Sequence, residues 1–183
     1  MLRLALALLF VALSAKAQII IELPKATQAS GNCVEAGGIP QSPPDPASLD
    51  QKDYVELSRS SCFGRCPDYR VRIYRTGRVE WEGRRNVEKI GESENQAEMT
   101  ATAAIFTQTQ SSEFWAACDS YRRRVTDNPT YIVTTNIGGE TKSIADYAQG
   151  GPNWVRELMQ KIDEAAGSKK WVGEDTWHPI QLK

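Results

Sequence analysis

The chain has 183 residues, with 22 basic and 23 acidic side chains and a formal net charge of −1. That length suffices for one domain with its own core, and the near-neutral balance argues against a general nucleic-acid binder. The only histidine is His178, near the C-terminus, and no Gly-x-Ser-x-Gly element occurs, so hydrolase schemes that need a base beside a nucleophile have little to work with.

The opening, MLRLALALLFVALSAKAQ, carries Arg3, an apolar run from Leu4 to Leu13 and a small-x-small site at Ala15-Lys16-Ala17. This pattern is that of a secretory signal peptide over 1–17, too short and wrongly flanked for a lasting membrane anchor. Gln18 stands where a lipoprotein would carry cysteine. Removing 17 of the 183 residues leaves 166, and losing Arg3 and Lys16 lowers the basic count from 22 to 20 against 23 acidic, a net charge of −3. The expectation is an exported protein, periplasmic or secreted, with no membrane anchor after cleavage near Ala17 and no nucleic-acid partner. The block Arg122-Arg123-Arg124 reads as a solvated turn.

Residues 18–50 form an N-terminal arm rich in Pro, Ser and Gly; PQSPPDP can hold neither a helix nor a central strand. Cys33 is the point at which the arm would be tied down. A single domain is expected over 51–175, followed by a short tail over 176–183.

The domain opens with YVELSR, a strand by its alternation, with Val55 and Leu57 on one face. Next come the loop Cys62-Phe63-Gly64-Arg65-Cys66-Pro67 and a hairpin. A three-residue turn at Arg75-Thr76-Gly77 sets Ile73 opposite Val79 and Val71 opposite Trp81, and pairs Arg72 with Glu80 and Arg70 with Glu82. A one-residue slip would mix core and solvent on both faces. Gly77 then falls where the turn needs a left-handed residue.

RRNVEKIG reads as a fourth, weaker strand. Ser93 and Gln96 have capping-box spacing, and Met99, Ala103 and Phe106 recur at helical intervals, predicting a helix there. EFWAACDSY leads out of it. PTYIVTTNI and ETKSIADY flank Gly138-Gly139 as a second hairpin. Gly151-Pro152 opens a helix with Val155, Leu158, Met159 and Ile162 on one face, closed by Gly167. Trp171 and Val172 are expected to dock back on the sheet. The fold class is α+β: an antiparallel sheet of five to six strands in the order β-β-β-(β)-α-β-β-α, with two helices on one face.

Four cysteines, Cys33, Cys62, Cys66 and Cys118, lie beyond the leader; an even number in an oxidising compartment favours disulfides, and sequence alone allows three pairings. Zinc would require Cys62 and Cys66 to recruit Cys33, Cys118 or His178, and haem attachment would require histidine where Pro67 stands. Redox chemistry normally uses a Cys-x-x-Cys at a helix start, whereas three residues intervene here and a strand follows. No catalytic residue, metal ligand or cofactor is assigned. Asp119, Tyr121, Asp127 and Asp146 cluster around connections and are the candidate polar pocket. Trp81, Trp115, Trp154 and Trp171 read as core.

CFGRCPDYRVRIYRTGRVEWEG, followed in order by FWAACDSY, TDNPTYIVTTNIGGETKSIADY and WVRELMQKID, resembles an uncharacterised family of bacterial exported domains, domain-of-unknown-function family 6438. The likeness covers about residues 54 to 172. It implies that the Cys-Phe-Gly-x-Cys-Pro cysteines, here Cys62 and Cys66, pair with each other, leaving Cys33 and Cys118 as an added pair. Glu113 stands where relatives often have glycine. The resemblance implies no activity, cofactor or partner. The functional expectation is a non-catalytic binding or interaction module of the cell envelope with an unknown envelope ligand. The alternatives are an envelope thiol-disulfide protein using Cys62 and Cys66, or a hydrolase with unidentified carboxylates.

Overall fold

The computed structural model describes residues 41–178 and 180. The expected signal peptide, most of the arm, and Cys33 lie outside the described residues. What is described of the arm ends in a short 3-10 turn at Pro46–Ser48, where Asp45 caps Ala47 N through its side chain.

The first strand, β1 (Tyr54–Arg59), pairs antiparallel with β2 (Asp68–Tyr74), which pairs with β3 (Arg78–Arg85) through the expected register: Ile73 opposite Val79, Val71 opposite Trp81, Arg72 opposite Glu80, Arg70 opposite Glu82. The turn is Arg75 to Gly77, and Gly77 has φ 81°. Both faces of this hairpin behave as the alternation requires. Val71, Ile73, Val79 and Trp81 are at most 2% exposed, while Glu82 pairs with Arg70 at 2.8 Å and Glu80 lies 3.8 Å from Arg72 on the open side. The second hairpin, β6 (Thr130–Ile137) and β7 (Glu140–Tyr147), turns at Gly138-Gly139 as expected.

The sheet is larger than expected and not purely antiparallel. It has seven strands in the order β4-β3-β2-β1-β6-β7-β5, and β5 (Ser120–Arg122) runs parallel to β7. The fourth strand also sits later than expected. It is β4 (Gly91–Gln96), whereas Arg84-Arg85 finish β3 and residues 86–90 form a connection. Ser93 and Gln96 are therefore strand residues opposite Trp81 and Arg78, not a capping box. The spacing fits a helix cap and an edge strand equally well; cross-strand pairing with β3 decides the matter.

The first helix, α1 (Met99–Thr109), follows Glu98 without a side-chain cap. Its buried face is Thr102, Ile105, Phe106 and Thr109, not the Met99–Ala103 stripe, and Met99 is 54% exposed. The buried threonines are tolerated because each hydroxyl bonds a carbonyl one turn back: Thr102 to Glu98 O at 2.9 Å and Thr109 to Ile105 O at 3.1 Å. A short helix, α2 (Ser112–Ala116), lies where only a connection was expected; Ser111 Oγ accepts from Phe114 N at its start. The third, α3 (Asn153–Ala166), buries Val155, Leu158, Met159 and Ile162, and Gly167 closes it in the left-handed region with φ 71°. Each such side chain contributes about 1.5–3 kcal/mol on burial. Helices α1 and α3 pack on each other and on β1, and α3 also on β2, covering one face of the sheet.

The tail docks as expected. A last turn, α4 (Lys169–Val172), places Trp171 5.0 Å from Trp81, itself stacked 4.6 Å from Tyr69. Lys89 N donates to Trp171 O at 2.9 Å, tying the 86–90 connection to α4. This positions the β1–β2 loop and the β3–β4 connection at the same end of the sheet.

Candidate functional site

At that end, the β1–β2 loop is closed by a Cys62–Cys66 disulfide with a Cα–Cα distance of 5.5 Å. Gly64 has φ 139°, a backbone conformation that a side chain resists, so glycine is what lets the loop close this tightly. Pro67 is buried and fixes the exit into β2. Asn86, from the β3–β4 connection, donates through Nδ2 to Cys66 O at 3.0 Å and lies 3.5 Å from Gly64 O. Behind the loop, Ser61 N donates to Asp68 Oδ2 at 3.3 Å and Arg84 lies 3.2 Å from Asp68 Oδ1. The loop is thus held by a covalent closure and by side chains from a neighbouring connection.

What this frame presents is Phe63-Gly64-Arg65, all exposed. Phe63 is 89% exposed, against 58% for Ile90, 54% for Met99 and 44% for Val125, the other exposed large apolar side chains among the described residues. This ring therefore stands in water on a tip held by the disulfide and by Asn86. No thiolate-stabilising helix start adjoins the disulfide, because β1 precedes the loop and β2 follows it.

Beneath the loop lies a buried polar cluster that sequence reasoning missed. Arg59, at the last inward position of β1, is 3% exposed and donates through its guanidinium to Tyr131 Oη at 3.1 Å, with Tyr69 Oη at 3.5 Å. The Tyr69 hydroxyl in turn donates to Asp163 of α3, 2.7 Å from Oδ1 and 2.8 Å from Oδ2. Burial works against the charge on Arg59, but Tyr69, Tyr131 and Asp163 together hold its pKa above the ordinary value. Burial lifts Asp163 above the usual carboxylate range, partly offset by Arg59 and Tyr69. It also raises Tyr69 and Tyr131, which favours the neutral phenol in both. The Ser168 hydroxyl lies close enough to favour an ionised Asp163 without making a full hydrogen bond. The signal was present: the alternation that sends Val55 and Leu57 inward sends Arg59 inward too, and Asp163 falls four residues after Met159. A cavity of about 270 Å³ reaches Asp163 between α3 and the C-terminal residues, walled by Gln160, Glu164, Lys169 and Trp177. Both Asp163 oxygens already face Tyr69, so the cluster's arrangement is that of a cross-link between sheet and helix.

The four residues proposed for a polar pocket do not gather. Tyr121 and Asp146 are register partners across β5 and β7 and are fully buried. Asp146 Oδ1 accepts from Gly151 N at 2.9 Å, whereas Gly150 N donates to Tyr147 O and leaves Oδ2 without a partner. Burial raises the Asp146 carboxyl, offset in part by the Gly151 amide and Arg156. Tyr121 is raised by burial as well, and its hydroxyl accepts from Cys118 N at 3.2 Å. Asp119 instead points outward to Lys142 Nζ at 2.7 Å, and Asp127 is exposed in the β5–β6 connection. Cys118 is disulfide-bonded; its expected partner, Cys33, lies outside the described residues. His178 is exposed. Trp81, Trp115 and Trp171 are core, with Trp154 partly buried beside them.

A family model described as a domain of unknown function, DUF6438, matches residues 53–166, from the residue before β1 to the end of α3. No curated protein matches the chain.

Proposed function

The chain belongs to the domain-of-unknown-function family DUF6438, and from that premise we propose that it is a non-catalytic binding module exported to the cell envelope, whose recognition element is the Phe63-Gly64-Arg65 tip. The observation that carries this reading is the pairing of opposites at one place: a side chain 89% exposed on a backbone closed by a disulfide and by Asn86. A loop already held in one conformation loses little entropy on binding, and aromatic residues and arginine are both enriched at interfaces. The buried Arg59, Tyr69 and Asp163 have a mechanical part in this reading. They fix the roots of the loop, Arg59 and Tyr69 being near its two ends, to α3.

The experiment compares the immobilised chain with its Phe63→Ser form and, as a control of position, an Arg122→Ala form, each exposed to envelope extract from the cells that make it. The reading expects one set of envelope components retained by the wild type and by Arg122→Ala and lost from Phe63→Ser. Retention that is the same on all three surfaces refutes it.

A further inference from the structure

The sheet ends on one side at β4, and among the described residues nothing pairs with the outer edge of Gly91–Gln96. Alternate residues of this six-residue strand turn their backbone N–H and C=O groups outward, about 20 Å of template for another extended segment. The side chains along this edge are not neutral. Glu92 stands opposite Glu82, and Glu94 opposite Glu80, so two like-charged pairs share the open face. Arg70, Arg72 and Arg78 are drawn toward Glu80 and Glu82, while Glu94 has only Arg78 at 3.9 Å and stays 74% exposed. Like charges directly opposite cost stability, and a strand with cations facing them would repay it. The two ends of β4 are marked by exposed apolar side chains, Ile90 at 58% and Met99 at 54%. On the inner side, Asn95 Nδ2 donates to Ala166 O at 3.0 Å, so the core beneath the edge is closed without an added strand.

We infer that the β4 edge is a second docking site, which takes an extended segment of a partner protein by strand addition. That segment carries Lys or Arg at alternate positions facing Glu92 and Glu94, with apolar residues at its ends covering Ile90 and Met99. Backbone pairing supplies the attraction and the alternate cations supply the choice of partner. A second copy of this chain is disfavoured by the same charges: antiparallel pairing of two β4 strands about Ser93 sets Glu92 of each against Glu94 of the other.

The test uses the full chain and three synthetic peptides. The first is acetyl-Leu-Lys-Val-Lys-Val-Lys-Leu-amide; the second has glutamate in place of each lysine; the third is the lysine peptide with alternate backbone nitrogens methylated. Affinity is read by calorimetry and the bound site by amide hydrogen exchange. The lysine peptide is expected to bind and to slow exchange within residues 91–96, with the glutamate peptide about tenfold weaker or worse. Glu92→Lys combined with Glu94→Lys, both at exposed positions, reverses that order. Phe63→Ser leaves it unchanged, which separates this site from the loop. Absence of binding by the lysine peptide overturns the inference. So does equal binding by the methylated peptide, which would show charge attraction without strand pairing. Slowed exchange in 91–96 as the chain alone is concentrated overturns it too, because a second copy would then occupy the edge.

Discussion

The Tyr69 hydroxyl sits 2.7 Å from one Asp163 oxygen and 2.8 Å from the other, joining β2 to α3 inside the core, while the Tyr69 ring stacks on Trp81. Tyr69 is fully buried and Asp163 nearly so. Tyr69→Phe keeps the ring and its stacking but leaves the Asp163 carboxyl without its donor and Arg59 with one acceptor fewer. The expected loss is about 2–4 kcal/mol in urea denaturation. A loss below about 0.5 kcal/mol would mean that the cluster does not join helix to sheet.

Asp146 gives a pH prediction with a definite sign. Burial raises its folded-state pKa, so the folded chain holds this proton more tightly than the unfolded chain does. Its contribution therefore favours folding below the unfolded value, about pH 4, and is lost as pH rises through the elevated folded value. Asp146→Asn retains an acceptor for Gly151 N and removes the titration. The stability of the wild type relative to this variant should fall as pH rises from about 4 to 7. A difference independent of pH, or one rising with pH, contradicts the assignment.

The β2–β3 hairpin separates the two faces of the sheet energetically. Trp81 is 2% exposed, so Trp81→Ala should cost about 3–5 kcal/mol. Glu80 is on the open face, where Arg78 and the Tyr74 hydroxyl hold it. Its charge reversal should cost roughly 0.2–1 kcal/mol. Equal costs in parallel denaturation curves would contradict the placement of the two faces.

The disulfide has a structural setting, with strands on both sides and no helix start beside it. Converting Cys62 and Cys66 to serine should lower stability by about 2 kcal/mol, the entropy of closing a short loop. The bridge should resist glutathione buffers, with a potential below about −300 mV. A potential near that of the thiol-disulfide oxidoreductases would favour the redox alternative.

Much of this architecture was legible in the residues. The register of β2 and β3 follows from Val71, Ile73, Val79 and Trp81 alternating on either side of Gly77, because only one turn length satisfies both faces. The buried face of α3 was equally plain. β4 was not, since Gly-Glu-Ser-Glu-Asn-Gln lacks β-branched and aromatic residues and becomes a strand through pairing with β3 alone. β5 is three residues long, and its parallel pairing depends on β7, more than twenty positions away. In the candidate site, the glycine and cysteines of the loop were readable as a staple. Phe63 was not readable as exposed, because its chemical type favours the core. Arg59 and Asp163 escaped notice because each is a charge at an inward position whose partners come from distant strands and helices.

In the proposed function Phe63 is the point of contact, and a photoreactive phenylalanine analogue placed at that position tests this most directly. The full chain carrying it is made in its own cells, illuminated, and compared with a chain carrying the analogue at Arg122, an exposed position on β5. A discrete covalent adduct from position 63 and none from position 122 is the predicted result. No adduct from position 63, or the same adducts from both positions, would contradict it.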